Sequence, residues 1–421
     1  MLNKTKQIAR KFWPADVNLT SANVAMARAY IDNYWHKLER THTRDGDSLI
    51  GLPKPYLVPA HEEGHDFDFN ELYYWDSYFM AQGLLDEPHK DLVLGILEDL
   101  VSLFSRFGVI PNASRTYLMG RSQPPLLTSF IWDVYTAYDL DKKWLKRNMK
   151  VAEAEYAAVW MGTSKPHARQ VYRGLSRYYD INLLSDLAEA ESGWDMTPRF
   201  NRHALDYVPI DLNSLLYKYE TDFARFYREM NDASSASKWD LAAEKRKATV
   251  NELMWSNLRG QYYDYNYVKE KRGAVSSLAG FYPLWSGMAT ASQAKQMVKA
   301  LKRYENKGGL ATTDGQQISQ LVPGSMPTQW AYPNGWAPLH FLIIKGLLNY
   351  GYRDDARRIA NKWLKTNLAW FDANGVFLEK YNVVVPNKPP TKGLYPCQTG
   401  FGWTNSVFEY LCKEFIDGTN V

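Results

Sequence analysis

Two carboxylates in this chain sit in surroundings that could tune them for proton transfer. Asp195 lies in Glu191-Ser192-Gly193-Trp194-Asp195-Met196-Thr197-Pro198-Arg199-Phe200, after a helical run through Leu184, Leu187 and Ala190. Gly193 weakens that helix and Pro198 ends it, so Asp195 falls at a break. Desolvation against Trp194 would raise its pKa and Arg199, four residues on, would lower it. Asp195 is therefore a tuned acid or the acid of a cap-and-core pair. Glu379 follows the turn Asp372-Ala373-Asn374-Gly375, whose glycine supplies a positive φ. Alternation puts Phe377, Glu379 and Tyr381 on one face of a short strand and Val376, Leu378 and Lys380 on the other. A carboxylate on an aromatic face is a buried paired acid or a working one. Two such groups are the equipment of glycoside hydrolysis, where one acid protonates the leaving oxygen and one base activates water. In an inverting enzyme they stand roughly 6.5 to 9.5 Å apart.

Other stretches carry groups that would hold a sugar. Tyr73-Tyr74-Trp75-Asp76 opens a helix and pairs an aromatic platform with a carboxylate, although a core Trp and a first-turn acid read the same way. Val109-Ile110-Pro111-Asn112 and Arg121-Ser122-Gln123-Pro124-Pro125 combine fixed backbone with amide and guanidinium donors, as rigid connectors or as a fork for a ligand. Trp330, Tyr332 and Trp336 crowd into Thr328-Gln329-Trp330-Ala331-Tyr332-Pro333-Asn334-Gly335-Trp336-Ala337-Pro338. Gly400-Phe401-Gly402-Trp403-Thr404-Asn405 opens the last helix, with Thr404 or Asn405 as its cap. His61-Glu62-Glu63-Gly64-His65 matches the H-E-x-x-H zinc spacing, which needs a helix. Pro59, Gly64 and Asp66-Phe67-Asp68 make it a loop, so the expectation is a polar loop over a pocket and no metal.

The elements that must position these residues are helices. Val24, Ala27, Ile31, Tyr34 and Leu38 recur at helical spacing over 23–38. A loop from Thr41 to Phe69 leads to a helix opening at Glu71. Further helices are predicted from Leu92 through Phe104, Leu126 to Leu140, Lys142 to Trp160, around Leu216 to Phe226, and from Trp239 to Met254. Tyr263, Tyr265 and Tyr267 alternate as a short strand or hairpin arm. Residues 335–350 are apolar almost all round and so should be buried, and Ala356, Ile359, Ala360 and Trp363 mark the helix that pairs with them. With no linker, low-complexity tract or repeat, these patterns predict one all-α domain over 1–421. Closing such packed helical hairpins into a double-layered α/α toroid would leave long loops gathered at one end, where the chemistry would sit.

Composition narrows the function. In 421 residues, 50 basic and 46 acidic side chains give a net charge of +4 without a long single-sign run, which offers nucleic acid no electrostatic footprint. No stretch approaches eighteen apolar residues, so no membrane span is expected. The basic N-terminus leads into no apolar segment, and a secretory signal is not expected. Two cysteines, Cys397 and Cys412, fit a reducing compartment, and the expected location is the cytoplasm. The 15 Trp, 29 Tyr and 17 Phe suit a concave site for a hydroxyl-rich ring or a large aromatic core.

Taken in order, these motifs resemble the trehalase family of glycoside hydrolases. Tyr73 to Phe79 and Gln329 to Pro338 are similar to its two signatures. Glu191 to Asp195 resembles its acid segment and Phe377 to Tyr381 its base segment. The Asn112, Arg121 to Pro125 and Gly400 to Asn405 stretches also match, over about residues 55 to 410. The resemblance implies an (α/α)6 toroid and an inverting hydrolase that needs no cofactor. It makes Asp195 the acid and Glu379 the base. Phe69, Tyr73, Trp75, Asp76, Asn112, Arg121, Gln123 and Trp330, with Trp194, would bind sugar. Both Asp195→Asn and Glu379→Gln would then abolish turnover and leave folding intact. The chain departs from the family at three places. Asp68 stands where an arginine is expected, the Arg-Pro-Glu loop is missing because Ser176-Arg177-Tyr178 runs almost directly to Glu191, and Lys392-Gly393-Leu394-Tyr395-Pro396 lacks the usual glutamate. Those features enclose the leaving-group half, so the resemblance implies reaction type more firmly than substrate. Trehalose is the leading substrate. Another short α-glycoside of the glucosylglycerate or mannosylglycerate type, or sugar binding without catalysis, are the alternatives.

Overall fold

The computed structural model describes residues 18–19, 21–61, 69–163, 165, 168–315, 328–391, 393 and 395–418. The chain forms α1 (Ser21–Leu38), α2 (Tyr74–Ala81), α3 (Lys90–Phe107), α4 (Leu127–Ala137), α5 (Lys142–Glu155), α6 (Ser185–Glu191), α7 (Ile210–Glu229), α8 (Ala233–Met254), α9 (Tyr282–Trp285), α10 (Ala291–Leu301), α11 (Ala337–Asn349), α12 (Arg353–Asn374) and α13 (Gly402–Phe415). Apart from the short α6, they alternate between an outer and an inner layer.

Side-chain pattern decides the layer. Every residue of α2 and α9 is buried, and most of α4, α7, α11 and α13 are. A helix that is buried on all sides must be surrounded by others. The partners α3, α5 and α10 bury one stripe, such as Val93, Ile96, Leu97, Leu100 and Leu103 on α3, and leave the opposite face to water. Inner helices pack in sequence from α4 to α7, α9, α11 and α13, and α13 then packs against α2 and α1. Tyr78 of α2 meets Phe130 of α4 edge to face, which completes the ring. The result is the (α/α)6 toroid, with one continuous apolar core running around it.

One buried polar junction inside the ring joins several helices. Glu155, fully buried at the end of α5, accepts from the Tyr74, Tyr219 and Trp160 side chains. The Leu127 N–H that starts α4 donates to both tyrosine hydroxyls. This junction ties four helices together, and burial pushes the Glu155 pKa up to about 7.

The strands are short antiparallel pairs: β1 (Glu39–Arg40) with β2 (Tyr56–Leu57), β3 (Gln170–Tyr172) with β4 (Leu175–Ser176), β6 (Trp255–Ser256) with β7 (Gln261–Tyr262), and β10 (Asn334–Trp336) with β11 (Lys380–Asn382). A three-stranded sheet orders β5 (Tyr207–Val208), β8 (Tyr265–Asn266) and β9 (Lys271–Arg272). Gly375 takes φ of 72° where α12 ends, as the turn signal predicts.

Several local expectations are corrected. The second helix opens at Tyr74 rather than Glu71, because Leu72 and Tyr73 are extended against Ala113 and Ser114. Residues 156–160 continue α5 as a π-helical turn. Of the alternating tyrosines only Tyr265 lies in a strand, β8; Tyr263 falls between β7 and β8 with its N–H on Met254, and the Tyr267 N–H turns to Asp206. The last helix starts at Gly402 with Phe401 at the cap position, and Thr404 instead sends its hydroxyl to the Leu378 carbonyl. Helices α9 and α10 escape the periodicity reading, since one turn carrying Pro283 is too short to show a period. Helix α10 is announced only by its capping box, Thr290 with Gln293.

Candidate active site

Asp195 sits in the loop between α6 and α7, and its place is set by a glycine. Gly193 has φ of 72°, and a Cβ there would lie 2.6 Å from the Trp75 ring of α2. Only glycine lets the loop lie on that indole. Trp194 is then driven into the core, stacked on Trp330 at 5.3 Å, which stacks on Trp336 at 3.8 Å. Trp75 closes on Trp330 and Trp403 at 5.7 and 5.9 Å, so indoles from four separate segments form one aromatic wall. Gly193→Ala is expected to destabilise the fold by about 3 kcal/mol, from the left-handed backbone and the overlap with Trp75. Chemical denaturation with the midpoint read by Trp fluorescence checks it.

Arg199 does not serve Asp195. Its buried guanidinium forks to Asp211 at 2.7 and 2.8 Å and to Asp264 at 2.8 and 3.0 Å, lying 4.5 Å from the Trp194 ring. The competing pull expected from the sequence is therefore spent on two other acids. Asp195 keeps some exposure, and its Oδ2 receives the Gln329 amide at 3.3 Å. Burial first, and the charge of Glu379 second, raise its pKa to about 6 against the opposing effect of backbone N–H groups and Lys380.

Glu379 is almost fully buried just ahead of β11. The strand begins only at Lys380, so the alternation that sent Glu379 and Lys380 to opposite faces does not apply. The Lys380 ammonium turns back to Glu379 Oε2 at 2.6 Å, and the Tyr395 hydroxyl donates to Oε1 at 3.0 Å. The backbone carbonyl of Glu379 accepts the Trp403 indole N–H at 3.1 Å.

The predicted sugar-binding residues fall on segments joined to this pair. Asp76 on α2 is buried, and desolvation with the charges of Asp195 and Glu379 pushes it up to about 8. Gln123 Oε1 accepts the Trp75 N–H at 2.9 Å. The Asn112 N–H donates to the Arg121 carbonyl and its side chain to Ser122, while the Arg121 guanidinium meets Asp180 at 3.2 Å. Glu191 fastens this loop to α6, accepting from Ser122, Tyr179 and Arg169. Phe69 and Tyr73, just before α2, stand edge to face at 5.9 Å. Of the zinc-like segment only His61 is described; Glu62 to His65, and Asp68, lie outside the described residues.

Three contributors were not singled out from the sequence: Gln329, Lys380 and Tyr395. Lys380 carried a signal, a lysine inside an apolar strand beside a carboxylate. Gln329 carried none, and Tyr395 stood only as part of a departure.

Residues 4–184 and 176–415 match the family model described as Trehalase. The cytosolic neutral trehalase of Kluyveromyces lactis is 33% identical over 434 residues, covering 86% of this chain and 56% of that protein. The periplasmic trehalase of Escherichia coli O8 is 31% identical, covering 90% and 72%. The chain thus spans little more than half of the fungal relative. The structure superposes on neutral trehalase Nth1 from Saccharomyces cerevisiae with a TM-score of 0.75 and 30% identity, over 92% of this chain and 79% of that one. A mannosylglycerate hydrolase from Thermus thermophilus shares the fold alone, with a TM-score of 0.66 at 18% identity over 91% of this chain and 99% of that one. Among the described residues no helix is long and apolar enough to cross a membrane.

Proposed function

The chain belongs to the trehalase family, and on that premise we propose that it is an inverting glycosidase that hydrolyses α,α-trehalose to two glucose molecules. Asp195 gives its proton to the glycosidic oxygen, and Glu379 takes one from the water that attacks the opposite face of the anomeric carbon. Asp76, Asn112, Arg121 and Gln123 hold sugar hydroxyls, and Phe69, Tyr73, Trp75, Trp194 and Trp330 supply the aromatic surround. The observation that carries this reading is the asymmetry of the pair: Asp195 is raised by burial and by its partner's charge, while Glu379 is clamped by donors on both oxygens. One carboxyl group suits an acid and the other a base.

We take 1–421 as a single catalytic domain with no cofactor, and the cytoplasm as its location, since both cysteines are unpaired. A second reading keeps the mechanism and changes the leaving group to another short α-glycoside. It is favoured by Tyr395, which bonds to the base within a segment that lacks the family's glutamate.

Proton NMR of the products tests the first reading. Trehalose should give α- and β-glucose together at the outset. Turnover of a different α-glycoside, with none of trehalose, would move the reading to the second substrate class. Binding of sugar without turnover of any would end it. The pH dependence follows from Asp195, which is useful only while protonated. Its proton is lost as pH rises through about 6, so kcat/KM is expected to fall above that pH, as a rate profile between pH 4 and 9 would show.

A further inference from the structure

Lys380 is fully buried, and a buried ammonium is costly unless its protons are placed. Its protons are directed at Glu379 Oε2 at 2.6 Å and Gln329 Oε1 at 3.0 Å, and it lies 4.8 Å from the Trp336 ring centre. Its backbone is held opposite Trp336 in the β10–β11 pair. These contacts assign the donors around the site. An ammonium donates only, so the Gln329 carbonyl oxygen must face it and the Gln329 NH2 must face away. That NH2 reaches Tyr395 Oη at 2.9 Å and Asp195 Oδ2 at 3.3 Å. The Tyr395 hydroxyl, accepting from Gln329, is left to donate to Glu379 Oε1. The polarity runs from Lys380 through Gln329 and Tyr395 into Glu379, and no donor in this run comes from Glu379.

We infer that Lys380 is a positioning residue that assigns the proton of the carboxylate pair, holding Glu379 as the ionised base and leaving the proton to Asp195. The inference rests on the hydrolytic reading above. Two carboxylates and one proton would otherwise populate the reversed, unproductive arrangement. The other charged and titratable groups around Glu379 are Asp195 from the α6–α7 loop, Asp76 from α2, and Tyr395 and Cys397 from the segment after β11. None of these carries positive charge, so among the described residues Lys380 is the cation placed to break the symmetry between them.

The test compares the wild-type chain with Lys380→Met and Lys380→Arg on whichever glycoside the wild type turns over, following kcat/KM against pH. Loss of the cation should move the acid limb, which reports the base, up by about one pH unit or more. The alkaline limb should move less, because Lys380 touches Glu379 and not Asp195. Arginine should leave the acid limb at its wild-type position. A purely structural lysine would lower the rate without displacing that limb. A folded Lys380→Met with an unmoved acid limb, or a Lys380→Arg displaced as far as the methionine variant, overturns the inference and leaves the hydrolytic reading standing. A wild type that turns over no α-glycoside overturns both. If the methionine variant does not fold, Lys380→Gln, which keeps a donor near Glu379 without the charge, is judged by the same criterion.

Discussion

Asp195→Asn is expected to reduce kcat on trehalose by about a thousandfold, while the melting temperature stays close to wild type. The amide has nearly the volume of the acid, and the Gln329 contact is kept when the new amide turns its carbonyl oxygen toward the Gln329 NH2. What is lost is a proton for the departing sugar, and general acid catalysis contributes on the order of 10² to 10⁴ in rate. The same argument predicts rescue by chemistry. Fluoride leaves without protonation, so α-glucosyl fluoride should be turned over by Asp195→Asn within about tenfold of wild type. A variant equally dead on the fluoride and on trehalose would remove Asp195 from the acid role.

Glu379→Gln is expected to lose as much, about a thousandfold, on trehalose and on α-glucosyl fluoride alike, because both reactions need the water activated. Comparable loss on both substrates, measured beside Asp195→Asn, separates base from acid. Its effect on folding differs from what a near-isosteric change suggests in the sequence. Lys380 would keep an acceptor but lose its buried counter-charge, and breaking one side of a buried pair is destabilising. A cost of about 2 kcal/mol, visible in chemical denaturation, is expected for Glu379→Gln and not for Asp195→Asn.

The toroid was legible because helical periodicity survives in long elements such as α3, α7 and α12, and because the wholly apolar α11 has to be an inner helix. It was illegible where an element is one turn long, as at α9, or where tertiary bonding overrides local preference, as at Tyr73 and Thr404. The site divides in the same way. Asp195 and Glu379 were visible through the residues beside them, which break helices or line an aromatic face. Their partners were not. Arg199 is four positions from Asp195 yet binds acids 12 and 65 residues away from it along the chain. Gln329 meets Asp195 across 134 residues and Tyr395 across 66. Sequence proximity suggests such pairings, but only the packed ring decides between them.

The ring closes with α13, which settles against α1 and α2 at the other end of the sequence. Among the bonds that fasten that seam are the Gly83 N–H to the Ser406 hydroxyl at 2.7 Å, Lys413 to the Gly83 carbonyl at 3.0 Å, and the Arg28 guanidinium of α1 to Glu409 of α13 at 2.7 and 2.8 Å. On the ribosome this orders events. Asp195 emerges long before Glu379, and the Trp403 indole that anchors the Glu379 backbone comes later still. A nascent chain therefore carries half of the proposed proton-transfer pair on an unclosed arc of helices, with its innermost apolar faces bare. Chaperone demand should peak in that interval, and a messenger cut short before residue 402 should yield a product that is both inert and prone to aggregate.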